Sequence, residues 1–236
     1  MVLAVVLLAA ARVSAQPERR EIAVLPESKT LVECSTNERQ QGYKDQRSGS
    51  GSMFRIFGGV AFPVGDFAKK EGENAGYAKT GWTAGAQFVT SEAVGFIVEG
   101  SYSQNNTELP SFYSAADGKY EHTGWNSVLA LAGLKIGTKN SSETSFFFAP
   151  LVGALFGKYP EITLTSAVTA QVSKSPSSSS TGLAYGAAVE VLFWRHVALG
   201  AKFIASKPKF KFSENGNELE IEQNITLLTV TLGIAF

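Results

Sequence analysis

Residues 228–236 read Leu-Thr-Val-Thr-Leu-Gly-Ile-Ala-Phe, with a large apolar side chain at every second position: Leu228, Val230, Leu232, Ile234 and Phe236. Side chains alternate across a strand, so this stretch is a β-strand with one continuous apolar face. The same period of two runs back through the chain to Met53. Strand one covers about Ser52 to Pro63, with Phe54, Ile56, Val60 and Phe62 on one face. Strand two, about Thr80 to Val89, aligns Trp82, Ala84, Ala86 and Phe88; strand three, Val94 to Ser103, aligns Val94, Phe96, Val98 and Tyr102. Strand four, Trp125 to Thr138, offers Val128, Ala130, Ala132, Leu134 and Ile136. Strand six, Thr181 to Phe193, aligns Leu183, Tyr185, Val189, Val191 and Phe193, and strand seven starts at Val197 with Leu199, Ala201 and Phe203. Strand five, near Thr144 to Tyr159, is the exception. Phe146-Phe147-Phe148 and Leu151-Val152 do not alternate, and Pro150 lacks the N–H a closed ladder needs, which predicts a bulge or register break.

The connections between these eight strands alternate in length. Long polar ones fall near 64–79, 104–124, 160–180 and 207–217; short ones fall near 90–93, 139–143 and 194–196. That asymmetry predicts an all-β fold, an eight-stranded antiparallel up-and-down transmembrane β-barrel with both termini at the short-turn end. The serine-rich run Ser175 to Thr181 reads as a solvated loop tip.

Charges decide which face is lipid-facing. A charge on the lipid face near the midplane costs about 2–4 kcal/mol. In the registers above Arg55, Glu99, Lys135, Glu190 and Lys202 all fall opposite the apolar stripe, so they point inward, with Gln87 and the glycines at 59, 85, 133, 186 and 200. Three cations against two carboxylates can form a polar plug bridged by Gln87, because an unpaired buried charge is costly. Phe54, Phe88, Phe96, Phe193 and Phe236 fall near the short-turn end, and Phe62, Trp82, Tyr102 and Tyr185 near the other, as two interfacial girdles.

Composition agrees. The 236 residues carry 21 basic and 21 acidic side chains, which excludes the clustered basic excess of a nucleic-acid protein. One cysteine excludes an internal disulfide, and with two histidines leaves few zinc ligands. No phosphate loop or metal cluster is recognisable, and no cofactor is expected. Mean hydropathy near zero (+0.02) fits strands whose polar and apolar faces average out.

The first residues differ from the rest. Met1 to Ala11 are almost wholly apolar, and Val13-Ser14-Ala15 resembles a cleavage site, so 1–15 is read as a signal peptide. Residues 16–51 hold 12 charged side chains and end in Ser48-Gly49-Ser50-Gly51. They are expected to form a polar, mostly disordered periplasmic arm carrying Cys34, before the barrel of 52–236.

Two stretches carry a family resemblance. Gly58-Gly59-Val60-Ala61-Phe62-Pro63-Val64-Gly65-Asp66-Phe67 is a glycine-bearing first strand running into a loop motif of Pro63, Gly65, Asp66 and Phe67. The other is the terminal strand ending in Phe236. Together they resemble the porin-like outer-membrane β-barrel family, small barrels similar to the membrane domain of outer-membrane protein A. The resemblance implies a Gram-negative outer membrane, surrounding lipid and lipopolysaccharide, and a terminal signal (Leu228, Val230, Leu232, Ile234, Phe236) read by the barrel-assembly machinery. It implies no single function.

Two functions follow as expectations. The first is a non-enzymatic, monomeric barrel with a structural, surface-loop binding or very narrow porin-like role, and no nucleic-acid partner. The alternative is a lipid-modifying barrel enzyme, a deacylase or acyltransferase, which needs a histidine beside a nucleophile. Here His122 falls in an outer loop and His196 in a periplasmic turn.

The last hairpin has a definite expected register. Centring its turn on Asn215-Gly216 sets Phe203 against Leu228, Ala201 against Val230, and Leu199 against Leu232. Higher up it predicts the ion pairs Lys209–Glu222 and Lys211–Glu220 on one face, with Phe210–Ile221 and Phe212–Leu219 on the other. The hairpin is thereby expected to stand above the membrane as a rigid surface feature.

Overall fold

A computed structural model describes residues 52–72, 75–90, 92–109, 118–138, 143–166, 168–169, 171–175, 177–214 and 217–236. The expected signal peptide, the charged arm with Cys34 and the Asn215-Gly216 pair lie outside them. Thirteen strands are present among the described residues: β1 (Ser52–Pro63), β2 (Ala78–Thr90), β3 (Val94–Thr107), β4 (Gly118–His122), β5 (Trp125–Gly137), β6 (Thr144–Lys158), β7 (Ile162–Ser166), β8 (Val172–Lys174), β9 (Ser179–Phe193), β10 (Val197–Ser206), β11 (Lys209–Glu214), β12 (Asn217–Glu222) and β13 (Ile225–Ala235). Eight of them, in the order β1-β13-β10-β9-β6-β5-β3-β2, close into one antiparallel barrel. These are the eight strands expected from the sequence, seven of them by alternation.

Closure brings the first and last strands together, with Phe236 N donating to Phe54 O at 2.9 Å. Stepping through paired residues from Met53 passes Val89, Ile97, Gly133, Leu151, Gly186, Ile204 and Leu227, and returns to β1 at Pro63. The path comes back ten residues further along the strand. At ordinary strand spacings that stagger tilts the strands by roughly 40° and leaves an interior just wide enough for side chains. So narrow a barrel coils sharply, and glycines mark where an inward Cβ has no room. A Cβ on Gly133 would lie 2.0 Å from the Pro150 carbonyl oxygen, and one on Gly59 2.0 Å from that of Val230.

The fifth expected strand, β6, corrects the sequence reading. It is regular: one register with β9 holds from Thr144 to Lys158, without a bulge. Phe146, Phe148, Pro150, Val152 and Phe156 face out, and Phe147, Ala149, Leu151 and Leu155 face in. The missing N–H of Pro150 is accommodated on the β5 side, where pairing stops between Gly133–Leu151 and Ile136–Phe148 and resumes in the same register. Adjacent apolar residues blurred the period because this strand is apolar on both faces.

The connections near 104–124 and 160–180 hold more structure than their polarity predicted, whereas the last hairpin was expected. β4, β7 and β8 form a three-stranded sheet, and β11 pairs with β12 as a two-stranded ribbon. Short polar strands such as Gly118–His122 lack the apolar alternation by which the barrel strands were recognised.

Candidate functional site: a filled lumen beneath an aromatic cap

All five charges expected inside are inside. Arg55 and Lys135 are 1% and 0% exposed, and Glu99 and Lys202 are also buried. Arg55 meets Glu190 and Lys202 meets Glu99, so the two carboxylates each take one cation. Ser101 Oγ donates to Glu99 at 2.9 Å. Lys135 donates to the Thr90 carbonyl at 3.0 Å, near the short-turn end. Gln87 occupies the row between Arg55 and Glu99, opposite each on its neighbouring strands. It is buried there, yet no hydrogen bond joins it to either pair among the described residues, so the expected Gln87 bridge is not formed. Direct cation–carboxylate contacts across the lumen have replaced it.

Aromatic faces complete the charged layer. The Phe147 ring lies under Arg55 at 5.4 Å and Lys135 at 5.9 Å, and Phe57 under Lys202 at 5.4 Å. A cation over a ring face is attracted by its quadrupole, more so where water is excluded. Sequence reasoning passed over both rings. Parity places Phe57 with Arg55 on the inward face, whereas the irregular reading of strand five concealed Phe147.

Above the charges the lumen turns apolar, which the sequence reading also missed. Leu129, Leu155, Ile204, Ile225 and Leu227 are buried in one cluster. A void of about 20 Å³ remains between Phe57, Gln87, Glu99 and Lys202. That is room for a single water.

At the long-loop end, aromatic side chains from separate connections close the mouth. Trp125 opens β5 and is 1% exposed, its Nε1 donating to the Gly76 carbonyl at 2.7 Å. Around it pack Phe67 at 5.2 Å, Tyr159 at 4.6 Å and Phe210 at 5.7 Å, and Phe212 lies 5.2 Å from Tyr159. The loop motif supplies Phe67. Gly65 takes φ +61°, a conformation that favours glycine, and starts the short 3-10 turn Gly65–Ala68. Asp66 Oδ1 accepts from Lys69 at 2.6 Å, and its Oδ2 accepts from Asn224 beside β13 at 2.9 Å. Both bonds hold its carboxyl below the usual carboxylate range.

The β11–β12 ribbon has the expected register: Lys209 faces Glu222, Phe210 faces Ile221, Lys211 faces Glu220 and Phe212 faces Leu219. Two readings of it need correction. The ion pairs run diagonally, Lys207 to Glu222 at 2.8 Å and Lys209 to Glu220 at 3.1 Å, rather than Lys209–Glu222 and Lys211–Glu220. Two-stranded ribbons twist strongly, and long side chains reach the diagonal neighbour. Nor does the ribbon stand free, because its Phe210 face is the underside of the cap. Ser178 and Ser180, read as part of a solvated tip, donate to the carbonyls of Lys211 at 2.8 Å and Lys209 at 2.6 Å and pin β11 to the barrel wall.

Outside, the apolar stripes form a continuous belt. Phe54, Phe88, Phe96 and Phe236 are exposed toward its short-turn edge, and Phe62, Trp82 and Tyr185 toward the other. Trp82 packs on Tyr102 at 5.2 Å and donates to Gln104 at 3.2 Å. The terminal residues Leu228, Val230, Leu232, Ile234 and Phe236 all belong to this belt. His122 lies at the end of β4 and His196 in the turn between β9 and β10, at opposite ends of the barrel.

No family model matches the chain, and no curated protein does. Among solved structures it is similar to the attachment invasion locus protein of Yersinia pestis, at 18% identity and a TM-score of 0.47, covering 79% of this chain and 99% of that one. It is similar to a major outer membrane protein from Thermus thermophilus, at 11% identity and a TM-score of 0.49, covering 78% and 99%. Neisserial surface protein A aligns at 13% identity and a TM-score of 0.33, covering 79% and 96%.

Proposed function

We propose that this chain is a non-enzymatic integral outer-membrane β-barrel, a sealed wall element that carries its loop structures on the outer face, with both termini periplasmic. The observation carrying this reading is the contrast between its two faces. Outside is a closed belt of exposed apolar side chains edged by aromatics, which in water would be a standing aggregation surface. Inside, paired charges, an apolar cluster and an aromatic cap fill the same barrel. A closed barrel leaves no unpaired edge, as a strand-built membrane protein requires.

The experiment has two readouts. The refolded chain should insert into phospholipid vesicles and migrate differently on a gel before and after heating. The same vesicles should retain small solutes as well as protein-free ones do. Failure to insert would remove the membrane assignment, and rapid leakage would remove the sealed-wall reading.

A further inference from the structure

A second feature lies on the outer wall, away from the lumen. A groove of about 490 Å³ opens between β11 and the upper ends of β5, β6 and β9. Its floor is Val128 and Phe156, both about half exposed and continuous with the apolar belt. Its upper wall carries Lys158, Lys209 and Lys211, with Asn126, Ser179 and Thr181 between them. Lys209 is shared with Glu220 at 3.1 Å; among the described residues Lys158 and Lys211 form no ion pair.

The register sets the height of this groove. Val128 pairs with Tyr102 on one side and Phe156 on the other, and Phe156 pairs with Thr181. The floor therefore continues the row of Tyr102, which packs on Trp82 in the upper girdle, and because a row climbs ten residues over eight strands Val128 and Phe156 lie about 3 and 6 Å above it. Two rows higher, on the same outward face, Lys158 pairs with Asn126 and Ser179. Aromatic girdles mark the boundary between acyl chains and headgroups, so the floor stands at the upper edge of the apolar belt and the lysines stand above it among the phosphates. Their position is built in, because the Ser178 and Ser180 hydroxyls fix the backbone of β11 at Lys211 and Lys209.

We propose that this groove binds the phosphorylated headgroup of an outer-leaflet lipid, with the three ammonium groups around the phosphate and an acyl chain on Val128 and Phe156. The proposal rests on the membrane reading above. Two of its cations have no carboxylate of their own among the described residues, and its apolar floor merges with the belt. A soluble anion would use the first feature only; a phosphorylated lipid uses both.

The test takes the folded full chain in a non-phosphate detergent and measures binding by native mass spectrometry. The probes are diphosphoryl lipid A, its dephosphorylated counterpart and inorganic phosphate. Wild type should bind the diphosphoryl lipid at least tenfold more tightly than either other probe. Removing two of the three lysines in Lys158→Gln/Lys211→Gln should lower that affinity roughly tenfold or more. Lys119→Gln, on β4, should leave it unchanged. Equal binding of both lipids by wild type, equal binding of inorganic phosphate, or an unaltered double variant would each overturn the proposal. Wild-type discrimination needs no variant, so a misfolded mutant cannot shield the idea. Vesicle insertion, measured separately, reports failure of the membrane reading itself.

Discussion

Arg55 and Glu190 meet in the lumen, where little water reaches either. Taking two charges out of water is costly, and their attraction offsets that cost only while both are present. Arg55→Met should therefore destabilise the barrel by about 3–5 kcal/mol, because Glu190 is left as a buried charge without its partner. Arg55→Met/Glu190→Leu should recover most of that loss, as read from urea unfolding in lipid vesicles. A double variant no more stable than the single one would show that the pair adds net stability of its own. These charges were legible in the sequence through parity, because a lipid-facing strand surface tolerates none of them. Their partners were not legible, since pairing across a lumen depends on which strands face each other after closure. At the mouth, Asp66 is held below the ordinary carboxylate range, first by its hydrogen bond from Lys69 and then by that from Asn224. A depressed folded value means that its contribution is present above the unfolded value, ~4, and is lost as pH falls through the folded one. Acidification below ~4 should then loosen the loop that carries Phe67 onto Trp125. With Trp82 and Trp194 changed to Phe, the emission of Trp125 should shift to the red on acidification. Asp66→Asn should already be loosened at neutral pH, and its emission should vary little with acid.

At the scale of the element, the close approach of strands makes its own prediction. Gly133 faces inward where a Cβ would meet the Pro150 carbonyl at 2.0 Å, which is backbone and cannot swing aside. Gly100, on β3, has nothing within 4 Å of its Cβ position. Gly133→Ala should sharply reduce the fraction that becomes heat-modifiable on refolding, and Gly100→Ala should leave it unchanged. Equal yields would mean that the coil of the sheet does not depend on these glycines. The strands themselves were largely readable from the chain. Alternation located seven of the eight, and the pairing of β10 with β13, from Val197–Ile234 to Ser206–Ile225, is the register expected from the Asn215-Gly216 turn. A one-residue slip there would turn every outward side chain inward, so one apolar face specifies the whole hairpin. β6 was not readable for the converse reason. Its inward Phe147, Leu151 and Leu155 belong to the lumen core and its outward Phe146, Phe148 and Val152 to the belt, so neither face is marked by polarity. The diagonal shift of the ion pairs on β11–β12 is a matter of twist, which a register alone does not contain.

For the whole molecule, the question is whether one barrier or several close the barrel. Eight strands with a stagger of ten residues enclose a lumen that side chains can fill. They fill it in series. Nearest the short-turn end Leu192, Ala198 and Ala235 cluster with Met53, followed by the paired charges with Phe57 and Phe147. Leu129, Leu155, Ile204, Ile225 and Leu227 come next, and the rings of Phe67, Trp125, Tyr159 and Phe210 lie last. Only the last of these layers depends on the β11–β12 ribbon. Replacing residues 209–222 with a short Gly-Ser turn removes Phe210 and Phe212 but leaves β10 and β13 paired from Ser206–Ile225 downward. Two effects should separate. Trp125 loses the ring packed edge-on against it at 5.7 Å, so its emission should shift to the red and its quenching by iodide should rise. Conductance in planar bilayers should stay at the baseline of the full chain, because ions would still meet the apolar cluster and then the bound carboxylates. Sustained conductance from the ribbon-less protein would mean that the cap is the sole barrier and that the side chains beneath it do not pack into a seal.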